Sequence, residues 1–164
     1  MAQPGSIDTL LLAGLQAEEQ AFRDFKTALQ AEQKALIAGD ITALTAISTS
    51  KLKQVEHLNR LAAQRLERIV TLGLTADRNG MEKWAAQAGT AATEAWRSML
   101  ATASEAHQAN QINGTLIQNH LQHNQQAMSA LLAASNQANL YGPDGQPKNT
   151  PPGGGSSRGI IGKA

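Results

Sequence analysis

Few side chains in this 164-residue chain are placed to do chemistry. His120 and His123 are three residues apart, so on a helix they would share a face and could begin a metal site. Helical di-metal bundles complete such a site with Glu-x-x-His motifs, and this chain has none. It also has no cysteine, which removes zinc–thiolate sites, disulfides and thiol nucleophiles. The expectation is therefore no metal and no cofactor. Glu18 and Glu32 form a second candidate pair. Fourteen residues of helix separate them by roughly 21 Å, too far to share one proton transfer. They are better read as seam acids that face Lys51 or Arg65 from a neighbouring helix. No Gly-rich phosphate loop follows a strand, and nothing selects a Ser-His-Asp triad. The chain reads as a non-enzyme without a small-molecule substrate.

The residues that remain suit binding. From His107 to Asn139, thirteen of 33 residues are Asn or Gln, and between Ser98 and Pro143 the only formal charge is Glu105. Leu116, Ile117, Leu121, Met128, Leu131 and Leu132 form an apolar stripe at helical spacing through this stretch. A solvated helix face ordinarily carries Lys and Glu. A stripe flanked by amides reads either as a plain polar surface or as a face that meets another protein. Tyr141 stands where this segment stops at Gly142-Pro143-Asp144-Gly145. It is either a cap folded back on the last turn or, with Leu140 and Gly142, an anchor for a partner.

The elements that must position these residues are helices. Leu15, Phe22, Leu29 and Leu36 recur every seven residues, while Leu11, Glu18, Phe25 and Glu32 alternate apolar with acidic on the second seam line. A first helix is expected from an N-cap at Ser6 to about Ala38. Gly39-Asp40 is a stop and restart, and a second helix follows to about Leu72 with Leu44, Val55, Leu58, Ala62, Ile69 and Leu72 on its seam. So short a connection makes the two a long antiparallel hairpin. Thr75 or Asp77 caps a short connector helix carrying Trp84, which with Trp96 packs that helix against the hairpin. Gly89 interrupts, and a last helix runs from about Ala91 to Asn139 through Ala95, Trp96, Met99, Ala103 and Ala106. Asn113-Gly114 is a turn signal, but its flanks keep helical period, so the helix is expected to continue through it. The Gly114 backbone then either admits another helix closely or marks a kink. The fold class is all-α: a hairpin, a connector helix and a long C-terminal helix in a coiled-coil-like bundle over residues 1–140. Residues 141–164 form a Pro/Gly/Ser-rich tail expected to be disordered.

Composition narrows the partners. Net charge is +1, there is no basic block, and aromatics are 3%, so nucleic-acid binding has little support. The long uncharged stretch is amide-rich rather than apolar, which excludes membrane insertion through it. The N-terminus lacks a basic region and carries Asp8 inside its apolar run, so it does not read as a signal peptide. With no cysteine, this points to the cytoplasm.

Asn113 to Gln146 also resembles the C-terminal signature of the FlgN family of flagellar export chaperones. The matching elements are Asn113-Gly114, Leu116-Ile117, Asn124-Gln125-Gln126-Ala127, Leu131-Leu132 and Leu140 to Gln146, in order and without a gap. Pro143 takes the variable place in the Tyr-Gly-x-Asp-Gly run. The resemblance implies a chaperone for the hook-associated proteins FlgK and FlgL, bound through their C-terminal helical ends. It also implies that Tyr141 lies in the segment that docks on the FlhA export gate. The client-binding segment is then 113–140, read as helix-in-groove recognition. Leu116, Ile117, Leu121, Met128, Leu131 and Leu132 would bury client side chains, Asn113, Asn124 and Gln125 would satisfy edge hydrogen bonds, and the bare Gly114 backbone would allow close approach. Met128 would adapt to two related clients. The competing expectation is a structural coiled-coil or adaptor subunit that homo-oligomerises through the same stripe.

Overall fold

The computed structural model describes the backbone of residues 4–138 and the side chains of residues 8–134. These residues form four helices: α1 (Pro4–Ala38), α2 (Ile41–Thr71), α3 (Arg78–Ala88) and α4 (Thr90–Ala138). No strand occurs among the described residues. The 141–164 tail lies outside them. α1 begins at Pro4, ahead of the expected cap at Ser6; proline's fixed φ suits the first helical position, where its missing N–H costs nothing. The hairpin turn is as the sequence requires. Gly39 adopts φ 67°, a left-handed value that other residues resist, and the Asp40 carboxylate accepts from the Ala43 N–H at 2.9 Å to cap α2. Asp77, rather than Thr75, caps α3, accepting from the Gly80 N–H at 2.8 Å; Thr75 instead donates its hydroxyl to Asp77 at 2.7 Å. α4 continues through Asn113-Gly114 as a helix.

The chain divides into two compact units, Met1–Asn119 and His120–Ala164, so α4 contributes to both. In the first unit, Glu18 pairs with Arg65 and Glu32 with Lys51, so α2 descends as α1 rises and the hairpin is antiparallel. Gly14 faces Arg68 of α2, whose guanidinium donates to the Leu10 carbonyl at 3.0 Å. Ala21, Ala28 and Ala35 follow Gly14 at seven-residue steps and are buried or half-buried, which lets the two backbones lie close. α4 runs parallel to α1 and meets it through side chains. Ser98 bonds Glu19, Lys26 bonds Glu105, and Asn113 bonds Glu32, at sequence offsets of 79, 79 and 81. That offset sets Ala38, the end of α1, level with the Leu116–Asn119 turn of α4.

The core gathers where α3 crosses the open end of the hairpin. Leu11 and Leu15 of α1, Ile69 of α2, Met81, Trp84 and Ala85 of α3, and Ala92, Trp96 and Met99 of α4 bury one another. Trp84 also donates its indole N–H to Asp8 at 2.8 Å. The two tryptophans thus pack the connector helix, as their spacing suggested. On α2, Leu58 and Ile69 are buried, and Leu44, Ala62 and Leu72 are half-buried. Val55 is exposed instead, and the adjacent Gln54, half-buried, takes the inward position between Lys51 and Leu58.

Two predictions follow from the glycines and the α3 cap. A Cβ on Gly80 would lie 1.9 Å from the Thr75 carbonyl oxygen, whereas one on Gly114 would meet nothing within 4 Å. Gly80→Ala is expected to cost about 1–3 kcal/mol in urea denaturation, and Gly114→Ala to add up to about 1 kcal/mol. Asp77 is held below its ordinary pKa by the Thr75 hydroxyl and the Gly80 N–H. Its cap is therefore fully stabilising above the ordinary value and is lost as pH falls through the lowered one. The stability gap between the wild type and Asp77→Ala should hold at neutral pH and close below about pH 4.

Candidate functional site

Two arrangements on α4 bear on binding, one in each unit. In the first unit, Asn113 is only 2% exposed. Its Nδ2 donates to the Leu29 carbonyl at 2.8 Å and to Glu32 Oε2 at 2.7 Å. Glu32 is itself buried and accepts from Lys51 Nζ at 2.9 and 2.8 Å. One residue from each of α1, α2 and α4 thus closes a buried polar layer. This corrects the expectation that Asn113 offers edge hydrogen bonds to a client: its amide is spent on α1, because a seam carboxylate at the same height needs a donor. The sequence signal was there, an Asn at a seam position of one helix and a Glu at a seam position of another.

A second layer lies nearer the core. Arg65 donates to both Glu18 oxygens, at 2.8 and 3.3 Å, and its guanidinium carbon stands 5.4 Å from the centre of the Trp96 ring. That distance suits a cation–π contact, so again one group from each long helix takes part. Glu18 and Glu32 face Arg65 and Lys51 as their spacing suggested.

Beside this layer, a cleft of about 510 Å³ is lined by Glu19, Arg23, Lys26, Ser98 and Glu105. Its charges answer one another. Lys26 pairs with Glu105 at 2.6 Å, and the Ser98 hydroxyl, then Arg23, hold the Glu19 carboxyl below its ordinary pKa. Nothing in that cleft is left over to grip a charged ligand. Among the described residues no group of three His, Cys, Asp or Glu could hold a metal ion, and no helix is long and apolar enough to cross a membrane.

The remaining expected client residues lie towards the C-terminal half of α4. Leu116 is half-buried, Ile117 is 40% exposed, and Gly114 is open. In the second unit, Leu121, Met128, Leu131 and Leu132 are 57–66% exposed, and Asn124 and Gln125 are exposed beside them. Steps of seven, three and four residues place these apolar side chains on one helix face. A run of exposed large apolar groups on an uncharged stretch of helix is a feature of partner-binding faces. Leu140, Tyr141 and Gly142 lie outside the described residues.

Comparison with known proteins gives one consistent result. The sequence matches the FlgN protein family over residues 6–149. Two proteins named Flagella synthesis protein FlgN are each 29% identical to it over 140 residues, covering 84% of this chain and 89% of the relative. One is from Yersinia enterocolitica serotype O:8 / biotype 1B (strain NCTC 13174 / 8081), the other from Yersinia enterocolitica. No solved structure matches the chain.

The buried amide generates a prediction. Asn113→Ala removes a donor from a buried carboxylate and should cost about 1–3 kcal/mol in urea denaturation. Unchanged stability would return Asn113 to the surface role that the sequence suggested.

Proposed function

The chain belongs to the FlgN family, and from that premise we propose that it is a cytoplasmic flagellar export chaperone without catalytic activity. Its clients in this reading are the hook-associated proteins FlgK and FlgL, held through their C-terminal helical ends until delivery. The observation that carries the reading is the uncovered stripe Leu121, Met128, Leu131 and Leu132. Removing those groups from water is favourable, at about 25 cal/mol per Å² of apolar surface. An amphipathic client helix laid along α4 would cover them and would keep its own apolar side chains from premature assembly. Ile117 and the half-buried Leu116 extend the stripe, with Asn124, Gln125 and the open Gly114 backbone alongside. The relatives' name, Flagella synthesis protein, agrees with a task in building the flagellum.

Docking on the FlhA export gate is assigned to Leu140, Tyr141 and Gly142. The support is the motif itself and the family match, which extends past these residues to 149. The bundle of the first unit then gives stability, α4 holds the client, and the segment after it presents the complex.

A second reading rests on the same exposed stripe: self-association into a structural or adaptor subunit. Light scattering on the isolated chain separates the two. Client-independent assembly lost on Leu121→Asp supports the second reading, and a monomer that binds client supports the first.

The direct experiment is calorimetry of the full chain against a C-terminal helical fragment of FlgK, repeated with FlgL. Binding is expected, with Leu121→Asp abolishing it at nearly unchanged helicity. Unfolding of that variant would instead mark Leu121 as core. Tyr141→Ala should keep client affinity and reduce FlhA binding; equal loss of both would defeat the division of labour.

A further inference from the structure

The structure shows what this helix does with an amide at a seam position. Asn113 gives its Nδ2 to the Glu32 carboxylate and to the main-chain carbonyl of Leu29, both on a facing helix. Asn124 follows eleven residues later, in the second unit. It sits within the exposed stripe, three residues after Leu121, four before Met128 and seven before Leu131. The apolar groups around it are therefore those that a partner helix would cover. Asn124 is exposed, and no hydrogen bond to its amide occurs among the described residues.

An amide in the middle of an apolar stripe costs binding energy unless the partner completes its hydrogen bonds. In helical seams a lone Asn is the residue that selects register and partner at some expense of affinity. The surroundings say which partner group fits. No carboxylate lies between Glu105 and Asp144, so nothing in this stretch repels an incoming acid. His120 stands one turn before Asn124 on the same face and offers a second N–H donor. Donors one turn apart, with no acid near them, can both be met by the two oxygens of a single carboxylate.

We infer that Asn124 is the register-setting residue of the client face, and that it is met by a Glu or Asp carried within the apolar seam of the partner helix. This rests on the chaperone reading above. The partner is an amphipathic helix with one acid among its seam positions, aligned so that the acid reaches Asn124. A helix with only aliphatic residues there leaves the amide unpaired. The face thereby rejects most amphipathic helices that its apolar stripe alone would accept.

A double-mutant cycle tests this, using the full chain and a C-terminal helical fragment of FlgK. Asn124→Ala is paired with replacement of each fragment Glu and Asp by Ala, and affinities are read by calorimetry. The expected result is that Asn124→Ala weakens the parent fragment at least about fivefold, and that this loss vanishes for one particular acid replacement and persists for the others. Gln125→Ala, at the edge of the stripe, should change affinity less than twofold. If Asn124→Ala weakens every fragment alike, or none, the inference is overturned while the chaperone reading stands. If the unaltered chain fails to bind the parent FlgK fragment and also an FlgL fragment, both fall. Circular dichroism of Asn124→Ala should match the wild type, since Ala favours the helix.

Discussion

Two carboxylates in the seam of α1 constrain everything else in the first unit. Glu18 and Glu32 occupy positions where the seven-residue repeat would otherwise place leucine, and both are buried. A buried charge without a partner is costly enough to unfold a small bundle. Each must therefore find a cation at its own height, and on α2 only Arg65 and Lys51 stand there. Their separation on α2 equals that of the two acids on α1, so both pairs close only in one antiparallel register. A slip by one turn would strand both acids at once. The pairs are better understood as fixing the alignment than as adding stability, since apolar pairs of the same size would serve stability as well or better.

The same two layers hold α4. Trp96 lies against the Arg65 guanidinium, and Asn113 completes the Glu32 carboxylate. Between α1 and α2, Gly14 and the alanines that follow at seven-residue steps permit close approach. α4 carries Trp96 and Met99 at the corresponding contact and is held off by their bulk. It is fixed instead by a ladder of side-chain bonds: Ser98 to Glu19, Lys26 to Glu105, Asn113 to Glu32. The ladder ends with α1, and the division of the chain at Asn119 follows. Past that point α4 is described by its own residues, which are amides, histidines and exposed aliphatics without a charge. The fixed polar layers thus belong to one unit and the uncharged run of exposed aliphatics to the other.

Much of this was legible in the sequence. Gly39-Asp40 could only be a turn and a cap, Gly89 could only interrupt, and the seven-residue repeat in the first helix named its seam. Glu18 and Glu32 announced cationic partners, because acids at seam spacing cannot be left alone. The motif within the amide-rich stretch pointed to the family. These readings rest on local rules of backbone conformation and helix periodicity, which neighbours do not alter.

Other features depended on what stands opposite. Asn113 and Asn124 are the same residue type on the same amide-rich helix, and nothing local tells them apart. One is buried because α1 places Glu32 at its height, and the other is exposed. Val55 fits the seam spacing of α2 as well as Leu58 does, yet faces outward, since spacing gives the stripe but not its edges. Asp77 won the α3 cap from Thr75 because the carboxylate reaches the Gly80 N–H while the hydroxyl serves the carboxylate. The sequence by itself determined the helices, their turns and the charges needing partners, all of which follow from residues a few positions apart. Tertiary structure alone decided which polar residues face inward and where the bundle stops, because both depend on the height at which separate helices meet.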